Sequence, residues 1–361
     1  MHRNFKRVLS KSVLHVVVGV SLFQIGDVYA QKSTSHSPYS QFGIGQMRED
    51  LLPQTRAMGG ISTGVRHLNG LPTLNMANPA SYSGLSRTVL EAGFYANTTQ
   101  LTKGARNNHT GDFAFSHFAI AVPFAKYGGM AFGILPFSDV GYSATTEKIM
   151  DNTKYQTSVT GEGGLNKAFI GYGVSPIKGL SIGANVGLIF GNLYDIYTAE
   201  YPFSFGAYNS QRKDTRNIKG VTLDYGAQYS RAIGDKLSMT IGYSGSLDNE
   251  IKDRTSSLET IFEPNADPDF ESAPLDTITS RSSSKHINLP LKHNIGFTIS
   301  KGYNWMVGAD FKYADWSKFN VREGESALGK NYGFAIGGQI KPDPTSIRYW
   351  NQVDYRLGFR Y

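Results

Sequence analysis

The amino-acid sequence predicts an all-β protein, a transmembrane antiparallel β-barrel, and three observations support this fold class. Apolar and polar residues alternate along many segments, so each segment has one apolar and one polar face, as a strand does. Short and long connections alternate between these segments, which is typical of membrane barrels. The chain is also rich in glycine (40), tyrosine (21) and phenylalanine (21), a composition typical of sheets.

The alternation is clearest in the segment IGANVGLIF, where Ile182, Val186 and Leu188 share one face and Asn185 lies on the other. Along the chain it predicts about eleven strands, approximately at 87–103, 112–124, 129–147, 154–175, 179–200, 215–232, 236–255, 284–300, 303–318, 329–341 and 346–361. A single-chain bacterial barrel closes with an even number of strands, because an unpaired edge in lipid leaves backbone groups without hydrogen bonds. The odd number therefore implies either one miscounted strand or a sequence that stops before the barrel closes.

The first thirty residues predict a secretory signal peptide. A basic lead, HRNFKRVLSK, precedes the apolar run VLHVVVGVSLFQIG and the segment DVYA, which places cleavage after Ala30. The run is shorter than the roughly twenty apolar residues of a membrane helix, and no other stretch approaches that length. We therefore divide the chain into a signal peptide (1–30), an N-terminal plug segment (31–86, here called the hatch) and the barrel (87–361), and exclude a helical membrane protein.

Charge and cysteine content exclude further classes of protein. The chain has 36 basic and 29 acidic residues, and removing the four basic residues and one acidic residue of the leader leaves 32 and 28. These charges are scattered, so the basic footprint of a nucleic-acid-binding protein is missing. The chain has no cysteine, which rules out disulfides and thiol chemistry.

Two segments before the first long strand, AMGGISTGV and LNMANPASYSGL, resemble the hatch of FadL/TodX-type outer-membrane transporters of long-chain fatty acids and other hydrophobic compounds. The residues that match the family motif are Gly59, Gly60, Asn78, Pro79 and Ala80. The passage LPFSDVGYS is similar to a second feature of this family, and SPYSQFGIG is similar to a group of its members from Bacteroidetes. Family members have about fourteen strands, so the resemblance implies a chain truncated at its C-terminus by about three strands.

The tripeptide Asn78-Pro79-Ala80 also has a physical interpretation. Pro79 fixes φ and has no N–H, Asn78 can bond its own backbone, and Ala80 permits close packing. These properties favour a tight fold inside a pore over an additional strand. The alternative is that the tripeptide is an ordinary turn before the first strand.

No group of residues indicates catalysis. The histidines stand singly, none beside a carboxylate cluster, so no metal or cofactor is expected. The segment GEGGLNK lacks the Gly-Lys-Ser/Thr ending of a phosphate-binding loop, and no Gly-x-Ser-x-Gly motif occurs. The sequence therefore predicts that the protein is not an enzyme.

Several polar residues fall on the strand face opposite the apolar one, and these are candidates for the wall of the lumen: Asp224, Gln228, Asp310, Lys312, Gln339, Asp354, Arg356 and Arg360. A charged residue facing lipid would cost up to about 2–4 kcal/mol at the bilayer midplane, which favours an inward orientation. Some of these residues could act as gates or ligand contacts. The structural interpretation is that they are ordinary wall residues bonded to one another or to the hatch.

The resemblance implies an outer-membrane channel for the uptake of hydrophobic small molecules such as long-chain fatty acids, with outer-membrane lipid and that ligand as its partners. The least polar residues of the long loops, candidates for ligand capture, are Phe203, Phe205, Ile261 and Phe262. They could instead pack the loops together. The alternative function is a scaffold similar to the barrel subunits of the type IX secretion system, with a protein partner at the extracellular loops. A surface-exposed barrel enzyme is a third possibility, disfavoured by the missing catalytic site.

Overall fold

The structure is a computed structural model that describes residues 37–68, 71–104, 106–124, 128–150, 153–201, 207–263, 274–319 and 328–361. The predicted signal peptide lies outside these ranges. The strands in the described ranges are β1 (Gln46–Met47), β2 (His67–Leu68), β3 (Leu71–Pro72), β4 (Val89–Lys103), β5 (Arg106–Pro123), β6 (Gly129–Met150), β7 (Thr153–Ile177), β8 (Leu180–Glu200), β9 (Asn209–Ile233), β10 (Leu237–Ser246), β11 (Asn249–Phe262), β12 (Asp276–Leu289), β13 (Lys292–Lys301), β14 (Trp305–Asp315), β15 (Lys330–Ile340) and β16 (Tyr355–Arg360).

Short helices interrupt the strands in the same ranges. They are the 3-10 helices Pro38–Gln41 and Pro79–Gly84 and the α-helices Pro53–Arg56 and Tyr349–Gln352. None of the described helices is long and apolar enough to cross a membrane.

One antiparallel sheet of 14 strands contains every described strand except the β2–β3 pair. Eleven of its strands form a continuous path from β4 to β16, in the order β4-β5-β6-β7-β8-β9-β10-β13-β14-β15-β16. The strand β11 pairs with β9 and β12, and β1 pairs with β6. This sheet confirms the predicted fold class.

Three of the predicted strands differ from the structure by more than the position of their ends. The segment 236–255 forms two strands, β10 and β11, and the segment 284–300 falls in β12 and β13. The second break lies at Pro290, which has no N–H to donate to a ladder. The segment 346–361 is a strand only from Tyr355 onward, because the helix Tyr349–Gln352 occupies its first half.

The sheet is apolar on its outer face and polar on its inner face, the reverse of a water-soluble barrel. On β8, Val186 is 51% exposed, whereas the neighbouring Asn185 is 2% exposed. The inner residues Gln228 and Asp310 are each 1% exposed. An outward apolar band with a polar interior is the arrangement that membrane barrels require.

The strands are unequal in length, so one side of the wall is taller than the other. The strands β6, β7, β8 and β9 contain 22, 25, 21 and 25 residues, whereas β14 and β15 contain 11 each. About 9–11 residues suffice to span a bilayer. The longer strands therefore extend past the membrane at the end that carries the long loops.

Candidate functional site

Glycines on the inner face of the barrel let the backbone of the hatch lie directly against the wall. We call the following residues the glycine belt: Gly129, Gly173, Gly183, Gly226, Gly242, Gly337 and Gly358. The first four are successive register partners on β6, β7, β8 and β9. A Cβ atom added at Gly183 would stand 2.5 Å from the carbonyl group of Pro79, and one at Gly337 would stand 2.1 Å from the Met58 oxygen.

The side chain of Asn78 joins two parts of the hatch to the wall, and it is fully buried. Its Oδ1 atom accepts a hydrogen bond of 3.1 Å from the Ala80 N–H and so caps the helix Pro79–Gly84. Its Nδ2 atom donates to the Thr63 oxygen at 2.8 Å and to the Tyr243 oxygen on β10 at 3.3 Å. Pro79 occupies the start of that helix, where its missing N–H costs nothing.

Gly59 and Gly60 let the hatch turn where it touches the opposite wall. Their φ angles are +71° and +89°, a region that favours glycine. A Cβ atom at Gly59 would also lie 2.7 Å from the backbone of Phe359 on β16. Downstream of this turn, the Asp310 carboxylate accepts from the N–H groups of Ser62 and Thr63 at 2.7 and 2.8 Å.

The wall between β5 and β6 is completed by the hatch. In the described residues, β5 pairs with β6 only as far as Phe118 and Ile134. On its other side, the register of β6 against β7 shifts between Pro136 and Ser138, a bulge at a proline that has no N–H to donate. Beyond this bulge the hatch strand β1 takes the place of β5, with Met47 opposite Ser138.

Charged residues of the hatch connect it to opposite sides of the barrel. Arg48 forms an ion pair with Asp139 of β6. The Glu49 carboxylate lies 3.3 Å from Lys312 Nζ of β14 and 3.2 Å from Arg360 Nη1 of β16. This hatch segment therefore crosses the lumen, and we call residues 37–50 the arm.

A buried ion-pair network holds the end of the arm. The Lys167 ammonium group of β7 lies 2.8 Å from the Asp50 carboxylate and 2.7 Å from that of Asp224 on β9. Only 5% of the Lys167 side chain is exposed. Without the lysine, the two carboxylates would lose their shared counter-ion, and breaking a buried ion pair in this way is strongly destabilising.

A cavity of about 510 Å³ lies inside the barrel beside the arm. Its apolar wall is formed by Phe137, Leu289, Trp316 and Tyr332. Lys292 also lines it, with Nζ 5.9 Å from the centre of the Phe137 ring. Within the described residues Lys292 forms no ion pair. The cavity thus combines an apolar surface with one cation that forms no direct ion pair, and the carboxylates of Glu49, Asp50 and Asp224 also line it.

The structure separates the predicted lumen residues into three groups. Asp224, Lys312 and Arg360 line the cavity. Asp310 and Gln228 hold the hatch, and the Gln228 Nε2 atom donates to the Thr63 oxygen at 3.0 Å.

The third group lies apart from the cavity. The Asp354 carboxylate lies 3.1 Å from Lys341 Nζ and 3.1 Å from the Arg356 guanidinium. Arg356 also donates to Gln339 at 3.2 Å. These residues join β15 and β16 to the turn between them.

The predicted capture residues do not line the cavity where the structure describes them. Ile261 and Phe262 end β11 and are half-buried. Phe203 and Phe205 lie outside the described residues. No three histidine or acidic side chains gather as a metal site in the part of the chain that the structure describes.

Comparison with known proteins assigns a family to this chain. The family model named BamG matches residues 10–361, nearly the whole sequence. The chain belongs to the BamG family. No curated protein matches this BamG-family chain.

Solved structures show the fold that this BamG-family protein shares with other barrels. The toluene transporter TodX of P. putida is 15% identical, with a TM-score of 0.56 over 87% of this chain and 83% of that chain. A TodX deltaS2S3 mutant, a monoaromatic hydrocarbon channel, is 16% identical, with a TM-score of 0.51 over 85% and 81%. A Pseudomonas aeruginosa FadL homologue is 12% identical, with a TM-score of 0.50 over 88% and 80%. The fold is therefore that of a FadL-like β-barrel.

Proposed function

We propose that this BamG-family barrel is an outer-membrane channel for the uptake of hydrophobic small molecules. The observation that carries the proposal is the cavity of about 510 Å³ inside the barrel, with its apolar wall of Phe137, Leu289 and Trp316. Burial of a ligand there would contribute about 25 cal/mol per Å² of apolar surface removed from water. The shared fold with the toluene transporter TodX supports the same function.

The route from the cavity would pass through the wall between β5 and β6. The arm closes this position through β1, and Arg48 and Asp50 hold it by ion pairs to Asp139 and Lys167. Displacement of the arm would leave β5 and β6 unpaired above Ile134 and open the wall sideways toward lipid. In this proposal the arm is the gate, while the glycine belt keeps the rest of the hatch in place.

We propose long-chain fatty acids as the substrate class. The Lys292 ammonium group forms no direct ion pair with another described residue and stands beside the Phe137 ring. A carboxylate is the anion that would pair with it while the acyl chain lies along the apolar wall. Neutral hydrocarbons would leave Lys292 without a direct ion pair.

The proposal includes a cellular location. The leader predicts export with cleavage after Ala30, and the fold is that of outer-membrane barrels. A bacterial outer membrane is therefore the proposed location. The hatch boundaries (31–86) and a source in Bacteroidetes stay predictions.

Uptake of radiolabelled oleate tests the proposed function. Deletion of the gene should abolish uptake, and Lys292→Met should weaken it about tenfold, since one charge-assisted pair is lost. Lys301→Met, at the exposed end of β13, serves as the matched control and should leave uptake unchanged. Unchanged uptake in the deletion strain, together with co-purification of the sealed barrel with a large membrane partner, would contradict a channel and favour the scaffold.

A further inference from the structure

The outer face of β9 marks where the membrane ends. Every second residue from Val221 to Tyr229 is apolar or aromatic and points outward, and Lys219 and Arg231 flank this run on the same face. The two cations are twelve positions apart in the sequence. At about 3.3 Å per residue and a strand tilt of about 40°, they stand about 30 Å apart along the membrane normal. That distance is close to the thickness of the hydrocarbon layer.

Lys219 lies at the extracellular end of this run. The strand continues from Lys219 toward the long connection between β8 and β9, whereas Arg231 stands beside the short turn that leads to β10. Barrels of this type carry long loops outside and short turns on the periplasmic side. The side chain of Lys219 therefore reaches the level of the lipid headgroups in the outer leaflet.

Two lysines face each other directly at this level. Lys252 of β11 is the register partner of Lys219 and also of His286 on β12. Arg254 follows two residues later on the same outer face. Directly opposed side chains have Cβ atoms about 4.5–5.5 Å apart, and like charges in that position destabilise a sheet.

The described residues do not neutralise these charges through ion pairs. We call Lys219, Lys252 and Arg254 the basic patch; all three are exposed, and none forms an ion pair with another described residue. Glu250 is the one acidic residue beside them on this face of β9, β11 and the described part of β12. The patch therefore keeps an excess of positive charge at the membrane surface.

We propose that the basic patch binds the phosphate groups of a phosphorylated glycolipid in the outer leaflet. Phosphate oxygens would lie between the opposed lysines and relieve their repulsion, while the planar guanidinium of Arg254 can bind a phosphate with two hydrogen bonds. The acyl chains of the same lipid would lie along Val221 and its apolar neighbours. The inference rests on the proposed membrane location and is independent of transport.

Lipid binding to the full-length barrel in detergent tests the inference, with diphosphorylated lipid A as the probe. The variant K219Q/K252Q should bind the probe at least about tenfold more weakly than the wild type. The matched control is R281Q/K285Q, which removes two exposed cations from the opposite face of β12. It should bind within about twofold of the wild type, and dephosphorylated lipid A should bind the wild type as weakly as K219Q/K252Q binds the probe.

Several outcomes would overturn the inference. Equal binding by both double variants would show that the patch is not the site. Inorganic phosphate that binds as tightly as lipid A would indicate a free anion, and an acidic peptide that displaces lipid A at equal concentration would indicate a protein partner. Heat-modifiable mobility on gels checks that each variant is folded, and oleate uptake by K219Q/K252Q should equal that of the wild type. If the wild type does not transport oleate, the proposed channel is contradicted. Lipid A binding by the wild type would still be expected in that case.

Discussion

At the scale of single residues, Asn78 links three separate segments of the chain. Its side chain caps the helix Pro79–Gly84, holds the carbonyl of Thr63 and reaches the carbonyl of Tyr243 in the wall. Apart from the cap, these contacts join groups far apart in the sequence. The same side chain therefore fixes both the local fold of the hatch and its position in the barrel.

Replacement of Asn78 by alanine should release this part of the hatch. The change removes a helix cap and the hydrogen bonds from Asn78 to Thr63 and Tyr243, which should lower the local opening free energy by about 2 kcal/mol. Hydrogen exchange at the Ala80 amide should then become about thirtyfold faster. Asn217→Ala removes an exposed hydrogen bond to Asn192 and serves as the control. Equal exchange rates in both variants would show that Asn78 does not hold the hatch.

The sequence predicts local features of single residues, but their distant partners come from the fold. Asn78 and Pro79 are recognisable as a turn because their effects act on neighbouring backbone. The pairing of Lys167 with Asp50 joins residues 117 positions apart, and nothing in either segment specifies it. The position of Lys292 beside an apolar wall likewise becomes visible only when the cavity around it is formed.

At the scale of elements, strand prediction succeeds where a strand crosses lipid and is less accurate outside it. In lipid one face must be apolar, so alternation marks the strand, as it does from Ile182 to Phe190. The first half of β12 has water on both faces and is rich in serine and threonine. Sequence prediction therefore misses this half of the strand, which begins at Asp276, eight residues before its predicted start. The early polar residues of β9 were missed for the same reason.

The glycine belt leads to a second prediction, which concerns a substitution at the contact between the hatch and β8. Gly183→Ala would place a Cβ atom 2.5 Å from the Pro79 carbonyl, so the helix Pro79–Gly84 must move away from the wall. Overpacking of this kind costs about 1–3 kcal/mol. Limited proteolysis of the folded barrel should cut the hatch faster, while the barrel strands stay protected.

Gly111→Ala is the matched control for this change. The position is also in a strand, but the atom nearest to the new Cβ, the Asn97 oxygen, would be 4.0 Å away. The control should retain the wild-type proteolysis pattern. If Gly183→Ala behaves like the control, the hatch does not pack on β8 as described.

At the scale of the whole molecule, the described barrel has its apolar surface on the outside. The outer face exposes Val186, Val221 and Ile336, while Thr222 and Gln228 lie buried inside. In water this arrangement would be unstable, because the hydrophobic effect favours burial of apolar surface. In a bilayer it leaves the interior free for polar networks, the hatch and a cavity. The proposed channel and the proposed lipid site both depend on this orientation.

The most direct test of this orientation compares two neighbouring residues of β9. Since the chain has no cysteine, Val221→Cys and Thr222→Cys each provide a single site for a spin label. In liposomes the label at 221 should collide readily with oxygen, which concentrates in lipid, and poorly with a water-soluble nickel chelate. The label at 222, inside the barrel, should show lower accessibility to oxygen. The reverse pattern, or a variant that stays monodisperse in water without detergent, would contradict the account.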